Sequence, residues 1–239
     1  MFGDPLYIAV ILVGLVLSGI TSMMVKSSFA RGEKVGLSRG YTGRDVAQAI
    51  LRSAGIDDVR VVEHRGFLSD HYNPADKTLN LSPAVYHGIN ASAAGVAAHE
   101  TGHAIQHAQG YAPLRIRSAV VPAASIGSNV GPWLIILGIV LGAAEGLAGP
   151  TLVAKIGVWL FAASTFFTLV TVPVEYDASA RAKKLLGELE ITRTSEEAGA
   201  VKDVLSSAAL TYVAAAITSV LTLLYWAMRA GLLGGRRND

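Results

Sequence analysis

NASAAGVAAHETGHAIQHAQ, residues 90–109, is the stretch on which the reading of this chain turns. It opens on an Asn suited to capping a helix, runs through helix-forming alanines, and gives way to Gly110 and Pro113. That pattern predicts one helix over residues 91–109. His99 and His103 stand four residues apart, on one helix face and about 6 Å apart along the axis. Two imidazoles so placed reach a single zinc ion at about 2.0–2.1 Å each. Glu100 follows the first of them, where its carboxylate can take a proton from the water that zinc activates. This is the H-E-x-x-H arrangement of zinc hydrolases. Chance supplies it in fewer than about one shuffled sequence in a hundred. The neighbours Val96, Ala97, Ala98, Ala104 and Ile105 predict a buried helix. Buried titratable groups need partners, and a metal is one.

Outward from this helix the chain turns apolar. Of 239 residues 51% are hydrophobic and 16% charged, the mean hydropathy is +0.44, and there is no cysteine. A disordered chain is excluded, and an ordinary water-soluble enzyme fits poorly. The missing cysteines remove disulfide scaffolds, Cys-based zinc ribbons, iron–sulfur centres and cysteine nucleophiles. A net charge of +2 argues against a nucleic-acid partner. Four stretches are long enough to cross a bilayer: residues 6–24, which carry no charge, then 120–144, 152–174 and 208–233. The first lacks the basic start and small-residue cleavage site of a removable signal, so it reads as retained. Pro122, Asn129 and Pro132 interrupt the second, and Pro173 closes the third. Whether the fourth crosses stays open.

Between the first two stretches lies a polar segment, residues 26–117, with 11 of the 20 Lys and Arg. The positive-inside bias places it in the cytoplasm and the N-terminus outside. Arg229, Arg236 and Arg237 then sit awkwardly on the outer side if the fourth stretch spans. The expected organisation is a first transmembrane helix over 1–25, a cytoplasmic domain over 26–117, and two transmembrane helices over 118–174. A cytoplasmic helical segment over 175–207 and a last apolar helix with a basic tail over 208–239 complete it. Within the polar segment, residues 42–54 have helical periodicity with Thr42 as N-cap and Gly55 as stop. Residues 59–62, 67–72 and 78–81 read as short strands, the last two joined by an Asn73-Pro74-Ala75-Asp76 turn.

Catalytic zinc takes three protein ligands and keeps a fourth position open. His107 lies about 12 Å along the helix from His99, too far for all three imidazoles to share one ion. Glu175 is the better third ligand. It follows Pro173 at the cytoplasmic end of the third apolar stretch, and two crossings separate it from His103, so all three groups fall on one side.

The combination of Val96-Ala97-Ala98-His99-Glu100, His103-Ala104-Ile105-Gln106-His107, Tyr111-Ala112-Pro113-Leu114-Arg115 and Val174-Glu175-Tyr176-Asp177-Ala178-Ser179 resembles the bacterial YugP-type proteins described as neutral zinc metallopeptidases. The likeness extends over nearly the whole chain, including Ser69-Asp70-His71-Tyr72 and the segment from Ala209 through Tyr212 to Ala215. The architecture is also similar to the HtpX-type membrane proteases. The resemblance implies a membrane α-helical protein with a small α+β zincin-like (gluzincin) domain. That domain would hold a helix, a three-stranded antiparallel sheet and the H-E-x-x-H helix, beside three or four transmembrane helices. It implies one Zn²⁺ held by His99, His103 and Glu175, with Glu100 as general base. In gluzincins an Asp commonly stands four residues after the ligating Glu and holds a ligand histidine. Here that position is Ser179, and the acid is Asp177 at plus two. Which of them orients a histidine stays open.

The expected activity is an integral-membrane zinc endopeptidase at the cytoplasmic face of the cell membrane, acting on membrane-associated or unfolded protein segments. His71, His87, Tyr212 and Arg181 are candidates to stabilise an oxyanion or touch substrate, and the strand over 67–72 to hold an extended substrate. The alternative is a proteolytically silent zinc-binding membrane scaffold or chaperone. An open ligand position next to Glu100 favours the enzyme, since structural zinc is normally closed by four protein ligands. A transporter is disfavoured, because the apolar stretches hold almost no ionisable groups.

Overall fold

The computed structural model describes residues 3–66, 69–145 and 151–233. The element order is α1 (Pro5–Gly32), α2 (Gly43–Ser53), β1 (Arg60–Glu63), β2 (His71–Asn73), β3 (Thr78–Leu81), α3 (Pro83–Tyr86), α4 (Ala91–Ala108), α5 (Ala112–Ala144), α6 (Leu152–Glu188) and α7 (Ser195–Arg229). Two compact units share these elements. One comprises Met1–Gly19, Ile116–Val172 and Tyr212–Asp239, and the other Ile20–Arg115 and Pro173–Thr211.

The first unit is helical. α1, α5, α6 and α7 are all long and apolar enough to cross a membrane. Their apolar side chains point outward, Trp133 and Trp159 at 71% exposure each, as suits a hydrocarbon solvent and not water. Inside the unit, Ile135, Val158, Tyr225, Trp226 and Ala230 form a core against which Tyr7 and Val10 pack. Tyr225 donates to Asp4 Oδ2 at 3.1 Å, and Arg229 lies 3.9 Å from the same carboxylate. The start of α1 and the end of α7 therefore lie together, and Asp4 answers the charge of Arg229. Arg236 and Arg237 lie outside the described residues.

Three boundaries differ from the sequence reading. The first helix continues to Gly32, past the expected end at residue 25. α5 runs unbroken through Pro122 and Pro132, and α6 through Pro173, so Glu175 stands inside a helix and does not open a new one. Prolines are tolerated in such helices because neighbouring helices and hydroxyl side chains re-satisfy the freed carbonyls.

The second unit combines α2, the small sheet, α3, α4 and the polar parts of α6 and α7. Thr42 and Asp45 form a reciprocal capping box on α2, and Val46, Ala47, Ile50 and Leu51 form its buried face. Asn90 caps α4 by accepting from Ala93 N–H at 2.9 Å, and Gly110, at φ +62°, ends it. The sheet is mixed, not the expected antiparallel one: its order is β1-β3-β2, with β1 parallel and β2 antiparallel to β3. β1 and β2 do run in opposite directions, but β3 inserts between them. The reason is burial, because β3 carries Leu79 and Leu81, both fully buried, and the central position covers both its edges. Each such leucine contributes about 1.5–3 kcal/mol. Of the strand expected over 67–72, only His71 and Tyr72 are found in β2 (His71–Asn73); Ser69 and Asp70 lie in no strand, and Phe67 and Leu68 lie outside the described residues.

Candidate metal centre

α4 offers His99 and His103 from one face, their rings 4.8 Å apart and nearly perpendicular. α6 crosses close against that helix, which small residues permit. A Cβ on Gly102 would lie 2.8 Å from the carbonyl oxygen and 3.1 Å from the Cα of Ala178. This proximity brings in Glu175, one turn before Ala178 and 2% exposed. Its Oε2 lies 3.1 Å from His99 Nε2 and 3.5 Å from His103 Nε2. The candidate ligand atoms all fall within 4.8 Å of one another. A tetrahedral zinc with ligands at about 2.0–2.1 Å sets them roughly 3.3–3.4 Å apart, which the two distances bracket.

The far sides of the rings are held too. Ser179 Oγ lies 3.1 Å from His99 Nδ1, and Gln106 Oε1 3.0 Å from His103 Nδ1. The Gln106 amide nitrogen donates to Val174 C=O and to Asp177 Oδ2, each at 2.8 Å, so its oxygen must face His103. His103 Nδ1–H is therefore the donor, and in the neutral ring Nε2 turns a lone pair toward the Glu175 carboxylate. Two acceptors facing each other need a cation or a proton between them. The donor set and its spacing thus fit zinc. Burial opposes a charge on His103, but Glu175, Glu100 and Gln106 around it outweigh burial and hold its pKa above the ordinary histidine value.

Glu100, the residue after His99, is partly buried, and its Oε2 accepts from Tyr72 N–H of β2 at 3.1 Å. Burial pushes its carboxyl above the ordinary glutamate range, against the pull of His99 and His103. Tyr72 OH in turn meets His107 Nδ1 at 2.8 Å, so His107 faces β2, one helical turn beyond the cluster.

The other candidates have these surroundings. His71 is exposed, its Nδ1 2.7 Å from Ser69 C=O and its ring against that of His64. His87 pairs with Glu63 at 3.2 Å. Arg181 donates to Asp177 Oδ2 at 2.5 Å and to Gln109 Oε1 at 2.6 Å. Tyr212 belongs to the helical unit. Of the two groups weighed for orienting a histidine, Ser179 stands at His99, whereas Asp177 stands behind Gln106. Sequence reasoning missed Gln106. Its one signal is position, three residues past His103 on the buried side of α4.

A half-buried and a buried imidazole beside a buried carboxylate, carried by a chain with four membrane-length apolar helices, define the class. Residues 7–231 match the family described as "Putative neutral zinc metallopeptidase", and the chain belongs to that family. It is 43% identical over 223 residues, 93% of its own length and 96% of the relative's, to the "Putative membrane protease YugP" of Bacillus subtilis (strain 168). No solved structure matches it.

Proposed function

We propose that the protein is an integral-membrane zinc endopeptidase whose site faces the cytoplasm, with His99, His103 and Glu175 as zinc ligands and Glu100 as general base. The observation that carries this reading is the convergence of two imidazoles and a buried carboxylate from separate helices, beside a second carboxylate. Zinc, when bound, supplies a Lewis acid that polarises a peptide carbonyl and acidifies water. Glu100 then takes a proton from the attacking water and returns it to the leaving amine, a role to which a raised pKa is suited. Tyr72 N–H holds one oxygen of Glu100 and leaves the other free to face that water. Ser179 and Gln106 hold the outer nitrogens of the two histidines so that both Nε2 atoms face inward. The catalytic unit is zincin-like in this reading, and an extended substrate segment enters beside β2, an edge strand.

The cytoplasmic orientation is supported by the 11 Lys and Arg of residues 26–117. The pairing of Asp4 with Arg229 supports α7 as a true span, with the start of α1 and the end of α7 on the outer side. Glu175 shares one uninterrupted helix with the apolar stretch from Leu152, which favours substrates at the membrane: loops, tails and unfolded segments.

The test compares wild type with Glu100→Gln on casein and on a membrane-protein substrate, each with and without a chelator. Cleavage by wild type that both the substitution and the chelator abolish is the expected result. Zinc binding with no cleavage of either substrate would make the chain a silent scaffold and overturn the proposal.

A further inference from the structure

Gln106 is fully buried and all its polar atoms are engaged: Oε1 with His103 Nδ1, and Nε2 with Val174 C=O and Asp177 Oδ2. Asp177 is itself fixed by Arg181, which also holds Gln109 and lies over the Tyr111 ring at 5.7 Å. An amide can turn either way. Two acceptors on its nitrogen side allow only one orientation, and that orientation presents an acceptor to His103. We propose that Gln106 is the positioning residue of His103, and that Asp177 reaches the metal centre only through it. Where a carboxylate would hold the ligand histidine directly, this chain interposes a neutral amide clamped by a carboxylate and an arginine. His103 thereby keeps Nδ1–H as a donor and a bare Nε2 without a further negative charge touching its ring.

The assignment rests on His99, His103 and Glu175 holding zinc, and its test separates the two. Full-length protein in detergent is titrated with zinc against a competing chelator. The visible spectrum of the Co²⁺-loaded form reports ligand geometry, and melting of the metal-free form reports folding. Gln106→Met removes the acceptor at similar volume, and zinc affinity is expected to fall about 10- to 100-fold with an altered Co²⁺ spectrum. Asp177→Ala is expected to cost less, and combined with Gln106→Met to cost nothing further. Gln106→Glu with Asp177→Asn exchanges carboxylate and amide and restores an acceptor at Nδ1 but loses the donor to Val174 C=O, so it recovers part of the lost affinity. Should Gln106→Met fail to fold, Gln106→Glu alone is compared with that exchange. It sets like charge against Asp177, and weaker zinc binding than in the exchange supports the assignment. Wild-type affinity in Gln106→Met, additive losses in the double variant, or Gln106→Glu equal to the exchange would each overturn it. A wild-type chain that binds no zinc overturns the metal reading itself, before any variant is compared, and this assignment with it.

Discussion

Replacing Gly102 by Ala adds one methyl group at the tightest point between α4 and α6. That methyl would lie 2.8, 3.1 and 3.3 Å from the carbonyl oxygen, Cα and carbonyl carbon of Ala178, all backbone atoms that no rotamer change can move aside. Ordinary contact begins near 3.4 Å, so the helices must part by about 0.6 Å (3.4 less 2.8). Glu175 rides on α6 one turn earlier. A shift of that size takes its 3.1 and 3.5 Å separations from the two imidazoles toward roughly 3.7 and 4.1 Å, beyond the edge of a zinc tetrahedron. Overpacking of this kind costs about 1–3 kcal/mol. Bringing the ligand back against that strain would weaken zinc binding roughly 5- to 150-fold, at about 1.4 kcal/mol per factor of ten. Stability of the metal-free protein should change less, because Ala is favoured over Gly in a helix by about 1 kcal/mol. The assay is zinc competition with a fluorescent chelator, beside Gly199→Ala as a control at a position with nothing within 4 Å. Zinc affinity in Gly102→Ala equal to that of wild type and control would refute the claim that this close approach sets the ligand geometry.

Further expectations concern the polar unit and the topology. Glu197, 3% exposed at the polar start of α7, accepts backbone N–H bonds from Ser38, Arg193 and Thr194. Glu197→Gln should lower stability by about 1.5–3 kcal/mol in chemical denaturation. Burial alone would raise its pKa, but those N–H groups hold it down at about 2, against an ordinary value of 4.5. Its contribution is therefore complete above about pH 4.5 and is lost as the pH falls toward 2. The wild type should show that decline in an acid titration, and Glu197→Gln should show less of it. Thr42→Ala breaks the capping box of α2 and should cost about 1 kcal/mol, measured as a shift in the denaturation midpoint. The chain has no cysteine, so single cysteines can report topology cleanly. Gly3→Cys and Leu232→Cys should react with an impermeant maleimide from the outer side and Arg52→Cys from the inner. Labelling of positions 3 and 232 from opposite sides would contradict the pairing of Asp4 with Arg229.

The parts of this fold legible in the sequence are those that local chemistry decides. Thr42 and Asn90 are caps whose partners lie three residues away, so α2 and α4 could be placed closely. The four apolar stretches needed only length and a near absence of charge, Lys155 and Arg229 being the charged residues within them. Proline misled, because Pro122, Pro132 and Pro173 break helices in water, whereas helices packed in an apolar surround run on through them. The sheet order was hidden because β3 takes the centre through burial of Leu79 and Leu81 against distant helices, a choice that no alternation records. His99, Glu100 and His103 declare themselves by spacing. Glu175 required the argument that two crossings return the chain to the same side. Gln106 and Gly102 were illegible, since each matters only through α6, some seventy residues further on, and their types carry no chemistry alone.

X-ray absorption at the zinc edge of the purified, zinc-loaded chain tests the central claim most directly. The account predicts one zinc per chain, with two imidazole nitrogens and a carboxylate oxygen at about 2.0–2.1 Å, and loss of that oxygen in Glu175→Ala. A spectrum without imidazole scattering, or one that Glu175→Ala leaves unchanged, would contradict it.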